Sequence, residues 1–309
     1  MKILITGGTG FIGHYLAAHE VGRGHEVLCT RYEGGQLPLL PEVRGAMYQH
    51  LDITEKKSVE KLIAQFKPDV VYHLAAQAYP VISWKDPEMT FTVNVLGTIY
   101  LFESLRRENS AAQVVVACSG AEYGDRVTSP IREESVLRPL SPYGVSKATQ
   151  DMLVYQYYRS YGMRLFSLRL FGTTGPGKTG DAVNDFARQI AIVERNGGEL
   201  KVGNLSAVRD ISDVRDVIKA FTLVREAGQP GEAYNVGSGR QIEMRKVLEI
   251  LIKLSKAEIV YHVDENLLRP ADEQVIYPDT SKINALGYRP EFSIERTLSD
   301  VLEFWRARS

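Results

Sequence analysis

Tyr143 and Lys147 stand four residues apart in the run Ser141-Pro142-Tyr143-Gly144-Val145-Ser146-Lys147. On a helix that spacing puts both side chains on one face. A free tyrosine titrates near 10, too high to exchange protons at neutral pH. A neighbouring ammonium favours the phenolate and lowers that value, which makes the pair a candidate general acid/base. A Tyr-x-x-x-Lys spacing alone more often marks a solvated helix face, so the surroundings decide. Ser119 ends a β-branched run, where side chains of a doubly wound sheet reach the ligand crevice. Its hydroxyl is placed to bond the carbonyl or alkoxide oxygen that exchanges a proton with Tyr143.

A second chemical feature lies at the start of the chain. Gly7-Gly8-Thr9-Gly10-Phe11-Ile12-Gly13 follows a strand directly and opens a helix. Glycines at 7, 10 and 13 allow a tight turn, a close approach to a pyrophosphate and helix–strand packing. The helix start at Phe11 and Ile12 offers N–H groups and a partial positive charge. A bare Gly-rich turn carries little weight; one on the first strand of an alternating βα pattern reads as a dinucleotide site. The second strand ends Cys29-Thr30-Arg31-Tyr32, with no carboxylate at 30–32 to hold a ribose 2′-OH. An arginine there suits a 2′-phosphate, so NADP(H) is favoured over NAD(H). Asp52 and Ile53, at the end of the third strand, border the adenine or belong to the cap of a helix starting at Thr54.

These residues need a scaffold. Short β-branched runs recur at residues 2–6, His25–Thr30, Ala46–Ile53, Asp69–Ala75, Gln113–Ser119 and Leu165–Phe171. Between them lie helical patterns at Phe11–Val21, Thr54–Phe66, Glu88–Arg107 and Tyr143–Tyr161, with Thr54 as N-cap. Strands apolar on both faces, such as Val114–Val116, suit a parallel sheet covered on each side. The alternation predicts an α/β fold, a Rossmann-type doubly wound parallel sheet with a smaller C-terminal α/β lobe. We assign 1–171, plus a returning segment at about 211–237, to the dinucleotide-binding domain. The substrate lobe then takes 172–210 and 238–309.

Composition bounds the rest. The chain has 309 residues with 37 Lys+Arg against 38 Asp+Glu, a net charge of −1. Such balance argues against a dedicated nucleic-acid or membrane-surface binder. No apolar stretch approaches the roughly 18 residues of a transmembrane helix, and the chain opens directly on a strand. A cytoplasmic enzyme with no membrane partner is expected. Cys29 and Cys118 sit inside apolar runs and read as core residues in a reducing compartment. No metal is expected.

With these residues in place, the whole chain resembles the extended short-chain dehydrogenases/reductases that act on nucleotide sugars. The motifs are Gly7–Gly13, Asp52-Ile53, His73-Leu74-Ala75-Ala76, Asn94 in Val93-Asn94-Val95-Leu96-Gly97-Thr98, Ser119, and Tyr143 with Lys147. The resemblance implies that Lys147 also bonds the nicotinamide ribose and that Leu74, Ala75 and Ala76 line the cofactor. Asn94 would support the active site beside it. In the second half Lys201–Leu205, Val208-Arg209-Asp210, Tyr234–Gly239 and Leu268-Arg269-Pro270 resemble the branch of GDP-mannose 4,6-dehydratases and GDP-6-deoxy-D-mannose reductases. That branch implies a GDP-linked sugar whose diphosphate Arg209 and Arg269 clamp, with Asn204 and Arg188 as further substrate residues. The resemblance also implies a homodimer built from helices such as 88–107 and 143–161.

Two departures narrow the reaction. Dehydratases of this branch carry Thr-x-Glu before Tyr-Gly, the Glu being the base for C5. Here Ser119-Gly120-Ala121-Glu122-Tyr123-Gly124 puts Ala121 at that place and Glu122 one residue late. On a strand end a shift of one turns a side chain to the opposite face. Gly172 also replaces an Asn of the family's pattern near the diphosphate. The leading expectation is an NAD(P)H-dependent reductase of a nucleotide-linked 4-keto-6-deoxy sugar. Behind it stand a 4-epimerase, a 4,6-dehydratase and a catalytically silent dinucleotide-binding relative.

Overall fold

Lys2–Thr6 forms the central strand because its side chains satisfy two cores at once. Ile3 and Ile5 point to one face of the sheet and Leu4 to the other, all fully buried. The computed structural model describes residues 1–32, 34, 39–108, 110–124, 129–267 and 275–308. Seven strands make the main sheet in the order Ala233–Val236, Arg164–Leu170, Gln113–Ser119, Val70–His73, Lys2–Thr6, Glu26–Arg31, Met47–His50. Every neighbouring pair is parallel. The strand order reverses beside Lys2–Thr6, and the crevice past the carboxyl ends there is where such folds bind ligands.

Helices cover both faces. Phe11–Gly22 and Val214–Ala227 pack on the side of Ile3 and Ile5, where Leu16, Val217 and Phe221 are buried. Lys56–Phe66, Gly97–Arg107 and Pro142–Tyr161 pack on the side of Leu4 through Leu62, Phe102 and Val154. This is the Rossmann-type sheet that the alternating pattern predicts. Cys29 and Cys118 are buried free thiols in these two cores.

The smaller lobe has its own apolar cluster, made by one face each of Ala182–Asn196, Met244–Leu254 and Ile294–Arg306. Between visits to this lobe the chain contributes Val214–Ala227 and Ala233–Val236 to the main-sheet layer. Ile283 and Tyr288, expected in the smaller lobe, are also buried against the main-sheet core.

Two helix expectations need correction. Thr54 is not an N-cap: the helix begins at Lys56 after Glu55, and the Thr54 N–H and hydroxyl both donate to Asp52 Oδ1, at 2.9 and 2.7 Å. The carboxylate forms its own local turn and outcompetes the hydroxyl for it. The pattern read as one helix at 88–107 is Pro87–Phe91, a π-helical turn Thr92–Leu96, and then Gly97–Arg107. Asn94 sits inside that widened turn, a feature that concentrates at functional sites.

Candidate active site

A cleft of about 1910 Å³ opens between the two lobes, past the carboxyl ends of the strands. Its floor is the glycine turn. Gly7 has φ +69°, and its N–H donates to Thr30 Oγ1 at 3.0 Å. A Cβ on Gly13 would lie 2.5 Å from the Gly7 carbonyl oxygen, so only glycine lets the helix start this close. Gly10 caps the helix without a side-chain bond, and Gly10, Phe11 and Ile12 line the cleft. The first N–H groups of a helix have no intrahelical partner. A backbone cradle that any side chain would fill, with donors at its end, fits a dinucleotide pyrophosphate.

One buried chain of polar contacts joins this floor to the helix that carries Tyr143 and Lys147. Thr6 Oγ1 accepts the Leu74 and Ala75 N–H groups at 3.1 and 3.2 Å and meets His73 Nδ1 at 2.8 Å. His73 Nε2 meets Thr98 Oγ1 at 2.9 Å, and Gln150 of helix Pro142–Tyr161 donates to the same hydroxyl at 2.7 Å. Leu74, Ala75, Ala76, Asp52 and Ile53 all lie on the cleft wall.

Two residues expected at the cofactor do not line that wall. Arg31 follows Thr30, which faces the cleft, so strand alternation turns it away. Its guanidinium pairs with Glu42 at 3.1 Å, both side chains about half exposed. Asn94 is fully buried behind the wall. It accepts the Gln77 N–H at 2.7 Å and donates to the Gln77 carbonyl at 3.1 Å and Ser146 Oγ at 2.9 Å. It therefore ties Gln77, just past Ala76, to helix Pro142–Tyr161 behind the wall.

Ser119, Tyr143 and Lys147 converge at the centre of the cleft. Ser141 caps their helix by accepting the Gly144 N–H at 3.1 Å, which fixes where Tyr143 begins. The Ser119 side chain stands on the same wall and favours the Tyr143 phenolate. Burial pushes the Tyr143 pKa up to about 12, against Ser119, with help from Glu122 and Cys118. The shift is upward where the spacing alone predicts a lowered tyrosine, because desolvation outweighs the opposing effect of Ser119. The Lys147 ammonium donates to the Ala117 carbonyl at 2.7 Å and lies 6.0 Å from the Tyr143 ring centroid. Burial lowers its pKa, opposed by Cys118 and Glu122. A buried phenol beside a hydroxyl is a proton donor aimed at one point in the cleft.

The Ser119–Glu122 segment shows which side chain meets that point. Ala121 lines the cleft, whereas Glu122 is fully buried beneath it with its Oε1 accepting the Ser119 N–H at 2.8 Å. Arg188, Asn204 and Arg209 line the far side of the cleft. Arg188 also pairs with Asp185 at 2.7 Å, and Arg209 donates to the Val208 carbonyl at 2.9 Å. Arg269 lies outside the described residues. Gly172 also lines the cleft, and a Cβ there would fall 1.7 Å from the Asp210 carbonyl oxygen. Two further wall residues are not singled out by the sequence: Lys178 and Trp305. Lys178 donates to the Thr173 carbonyl, lies 3.4 Å from Asp181 and stands 6.0 Å from the Phe11 ring. One lysine among Gly175, Gly177 and Gly180 is the signal that marks it. Among the described residues no His/Cys/Asp/Glu group is arranged to hold a metal, and no helix is long and apolar enough to cross a membrane.

The family model for GDP-mannose 4,6 dehydratase matches residues 4–301. The chain belongs to that family. GDP-6-deoxy-D-mannose reductase of Pseudomonas aeruginosa is 29% identical over 313 residues, covering 99% of this chain and 98% of its own. GDP-mannose 4,6-dehydratase of Vibrio cholerae is 26% identical, covering 97% of this chain and 92% of its own. The solved structure of RMD from Pseudomonas aeruginosa with NADPH aligns with a TM-score of 0.84 at 28% identity, covering 100% and 99% of the two chains. UDP-glucose 4-epimerase of Thermotoga maritima with UDP-glucose aligns with a TM-score of 0.90 at 27% identity, covering 100% and 99%. This family member is an extended short-chain dehydrogenase/reductase that acts on nucleotide sugars with a nicotinamide dinucleotide.

Proposed function

We propose that this enzyme reduces a nucleotide-linked 4-keto-6-deoxy sugar, GDP-linked, with NADPH as the favoured reductant. The observation that carries the reading is Ala121 on the cleft wall with Glu122 turned beneath it. Elimination across C5 and C6 needs a carboxylate within hydrogen-bond reach of the C5 proton. A methyl group accepts no proton, and a carboxyl bonded to the Ser119 N–H does not face the substrate.

A bound reduced nicotinamide supplies the hydride that adds to C4. The chain's residues do the rest. Ser119 Oγ and the Tyr143 phenol converge on the C4 carbonyl oxygen and polarise it. Tyr143 gives its proton to that oxygen as it gains charge, and the product is the alcohol. Lys147, anchored on the Ala117 carbonyl, holds a positive charge near the phenolate that remains. Arg188, Asn204 and Arg209 hold the substrate diphosphate and sugar at the far wall, where guanidinium groups bind phosphate in two-point fashion. Arg31, beside Thr30 at the strand end, is the candidate for the cofactor's 2′-phosphate: its side chain would have to leave Glu42 and swing round the strand end, and an exposed pair of this kind is worth only about 0–1 kcal/mol.

The alternative within the family is a 4-epimerase, favoured by the close overlay with the Thermotoga maritima enzyme and by the same Ser/Tyr/Lys set. Met152 and Tyr155 remain more than half exposed on helix Pro142–Tyr161, which supports a homodimer through that helix. The deciding assay supplies a GDP-linked 4-keto-6-deoxy sugar and follows absorbance of the reduced nicotinamide. Stoichiometric oxidation with formation of the alcohol is expected. Interconversion of C4 epimers without net cofactor oxidation would overturn the reading.

A further inference from the structure

Glu122 takes no part in the steps above, yet it is the most enclosed ionisable group next to them. It closes the short turn Gly120–Glu122 and forms a reciprocal cap with Ser119. Its Oε1 accepts the Ser119 N–H at 2.8 Å, while Ser119 Oγ accepts the Ala121 N–H at 3.2 Å. Its Oε2 lies 3.5 Å from Arg169 Nε, and both atoms lack a hydrogen-bond partner. Arg169 is itself fixed: it pairs with Asp151 and donates to the Tyr123 hydroxyl at 2.6 Å and the Glu133 carbonyl at 2.8 Å. The carboxyl is thus held from below by an immobile guanidinium and from above by the main chain of Ser119.

We propose that Glu122 is a positioning residue for the reaction: its carboxyl, held beneath the cleft against Arg169, accepts the Ser119 N–H and sets the Ser119 hydroxyl against Tyr143. The proposal rests on the roles given to Ser119 and Tyr143 under Proposed function. Ser119 is the last residue of a strand, and nothing in a strand end by itself dictates where the next turn leads. The reciprocal cap dictates it, and a displacement of about 1 Å at a catalytic contact can cost about 10²-fold in rate.

The groups facing Glu122 come from every element around it. They are Asp151, Lys147 and Tyr143 of the catalytic helix, Arg169 of the neighbouring strand, Tyr123, and Cys118 of its own strand. Burial, with Asp151, pushes the Glu122 pKa up to about 8, against Arg169, the Ser119 N–H and Lys147. Near neutrality it is a carboxylic acid whose carbonyl still accepts the Ser119 N–H. At higher pH it adds a negative charge that holds the Tyr143 and Lys147 protons more firmly.

Two substitutions separate these effects. Glu122→Gln keeps an acceptor for Ser119 and removes the ionisation; Glu122→Leu removes both. At pH 6.5 the Leu variant is expected to lose about 10–100-fold in kcat, with substrate KM and cofactor Kd unchanged. The Gln variant is expected to stay within about threefold of wild type, a rescue that a purely structural role does not predict. A Leu variant within twofold of wild type, or a Gln variant as slow as the Leu variant, overturns the proposal. A second measurement needs neither sugar substrate nor the Leu variant. Tyr143 ionisation is read from phenolate absorbance in rapid alkaline pH jumps, each protein against its own Tyr143→Phe counterpart. The Gln variant is expected to ionise Tyr143 at lower pH than wild type, and coincident curves overturn the proposal. Absent sugar turnover with the ionisation shift intact would refute the reductase reading and leave Glu122 as proposed.

Discussion

The Lys147 ammonium donates to the Ala117 carbonyl at 2.7 Å and lies 6.0 Å from the Tyr143 ring centroid. The side chain that favours the phenolate is Ser119. This geometry leaves the tyrosine protonated throughout the physiological range, its pKa pushed up to about 12 by burial. A protonated phenol is the form required of an acid in carbonyl reduction. For alcohol oxidation the same group would have to start deprotonated, so a protonated Tyr143 is the form that the proposed reduction uses.

Replacing Tyr143 by Phe is therefore expected to cost about 10²–10⁴-fold in kcat, the usual contribution of a general acid. Dinucleotide Kd, measured by fluorescence of the reduced nicotinamide, should stay within about twofold, because the glycine turn is untouched. A variant keeping more than half of wild-type turnover would show that another group delivers the proton.

Cofactor choice is expected to respond to Glu42 as well as Arg31. The 3.1 Å pair between them leaves both side chains about half exposed. Glu42→Gln releases the Arg31 guanidinium from its partner. NADPH should bind about 2–5-fold tighter, the range an exposed ion pair is worth, and NADH no tighter. Arg31→Asp should do the reverse, weakening NADPH more than NADH. Equal changes for the two cofactors in both variants would remove Arg31 from the 2′ site.

His73 gives the fold a defined acid sensitivity. Burial, with Lys147, lowers its pKa from 6.5 to about 3, so the folded chain keeps it neutral between Thr6 and Thr98. Between about 3 and 6.5 the unfolded chain binds one more proton than the folded one, and stability falls as pH falls. The contribution is intact above 6.5 and is reduced by about 2 kcal/mol at pH 5. Urea unfolding at pH 7 and pH 5 should show this loss in wild type. His73→Gln should be less stable at pH 7 yet lose about 2 kcal/mol less between the two pH values. Parallel losses in the two proteins would contradict the assignment.

The parts of the site legible in the sequence are those fixed by local spacing. Tyr143 and Lys147 are one helical turn apart, and Gly7 and Gly13 flank one strand-to-helix turn, so neither depends on distant chain. The parts that were not legible depend on which segment returns to meet them. Glu42 pairs with Arg31 from eleven residues further along the chain, and alternation along the strand, anchored at Thr30, turns Arg31 from the wall. Asn94 occupies a π-turn that a periodicity count reads as plain helix. Gly172 reads as a missing asparagine until Asp210, distant in sequence, is seen to pass within 1.7 Å of where its Cβ would stand. The absent side chain is a packing requirement of this chain at a position on the cleft wall.

The proposed reading separates reduction from elimination at residue 121. Wild type is expected to leave GDP-mannose unchanged in the presence of the oxidised cofactor, with no 4-keto-6-deoxy product by chromatography. Ala121 faces the cleft and carries no acceptor, while Glu122 is fully buried and bonded to the Ser119 N–H. To act on C5, Glu122 would have to break the reciprocal cap and pass through the main chain of its own turn. Ala121→Glu restores a carboxylate to the wall at the residue that the dehydratases use, and the Ser119–Glu122 cap does not involve the Ala121 side chain. The variant is expected to exchange the C5 hydrogen of a bound 4-keto sugar with deuterated solvent, detectable by mass as a gain of one unit. Wild type should show no exchange on the same timescale. Exchange by wild type at the rate of the variant would mean that a carboxylate reaches C5 without residue 121, and the elimination reading would replace the reductive one.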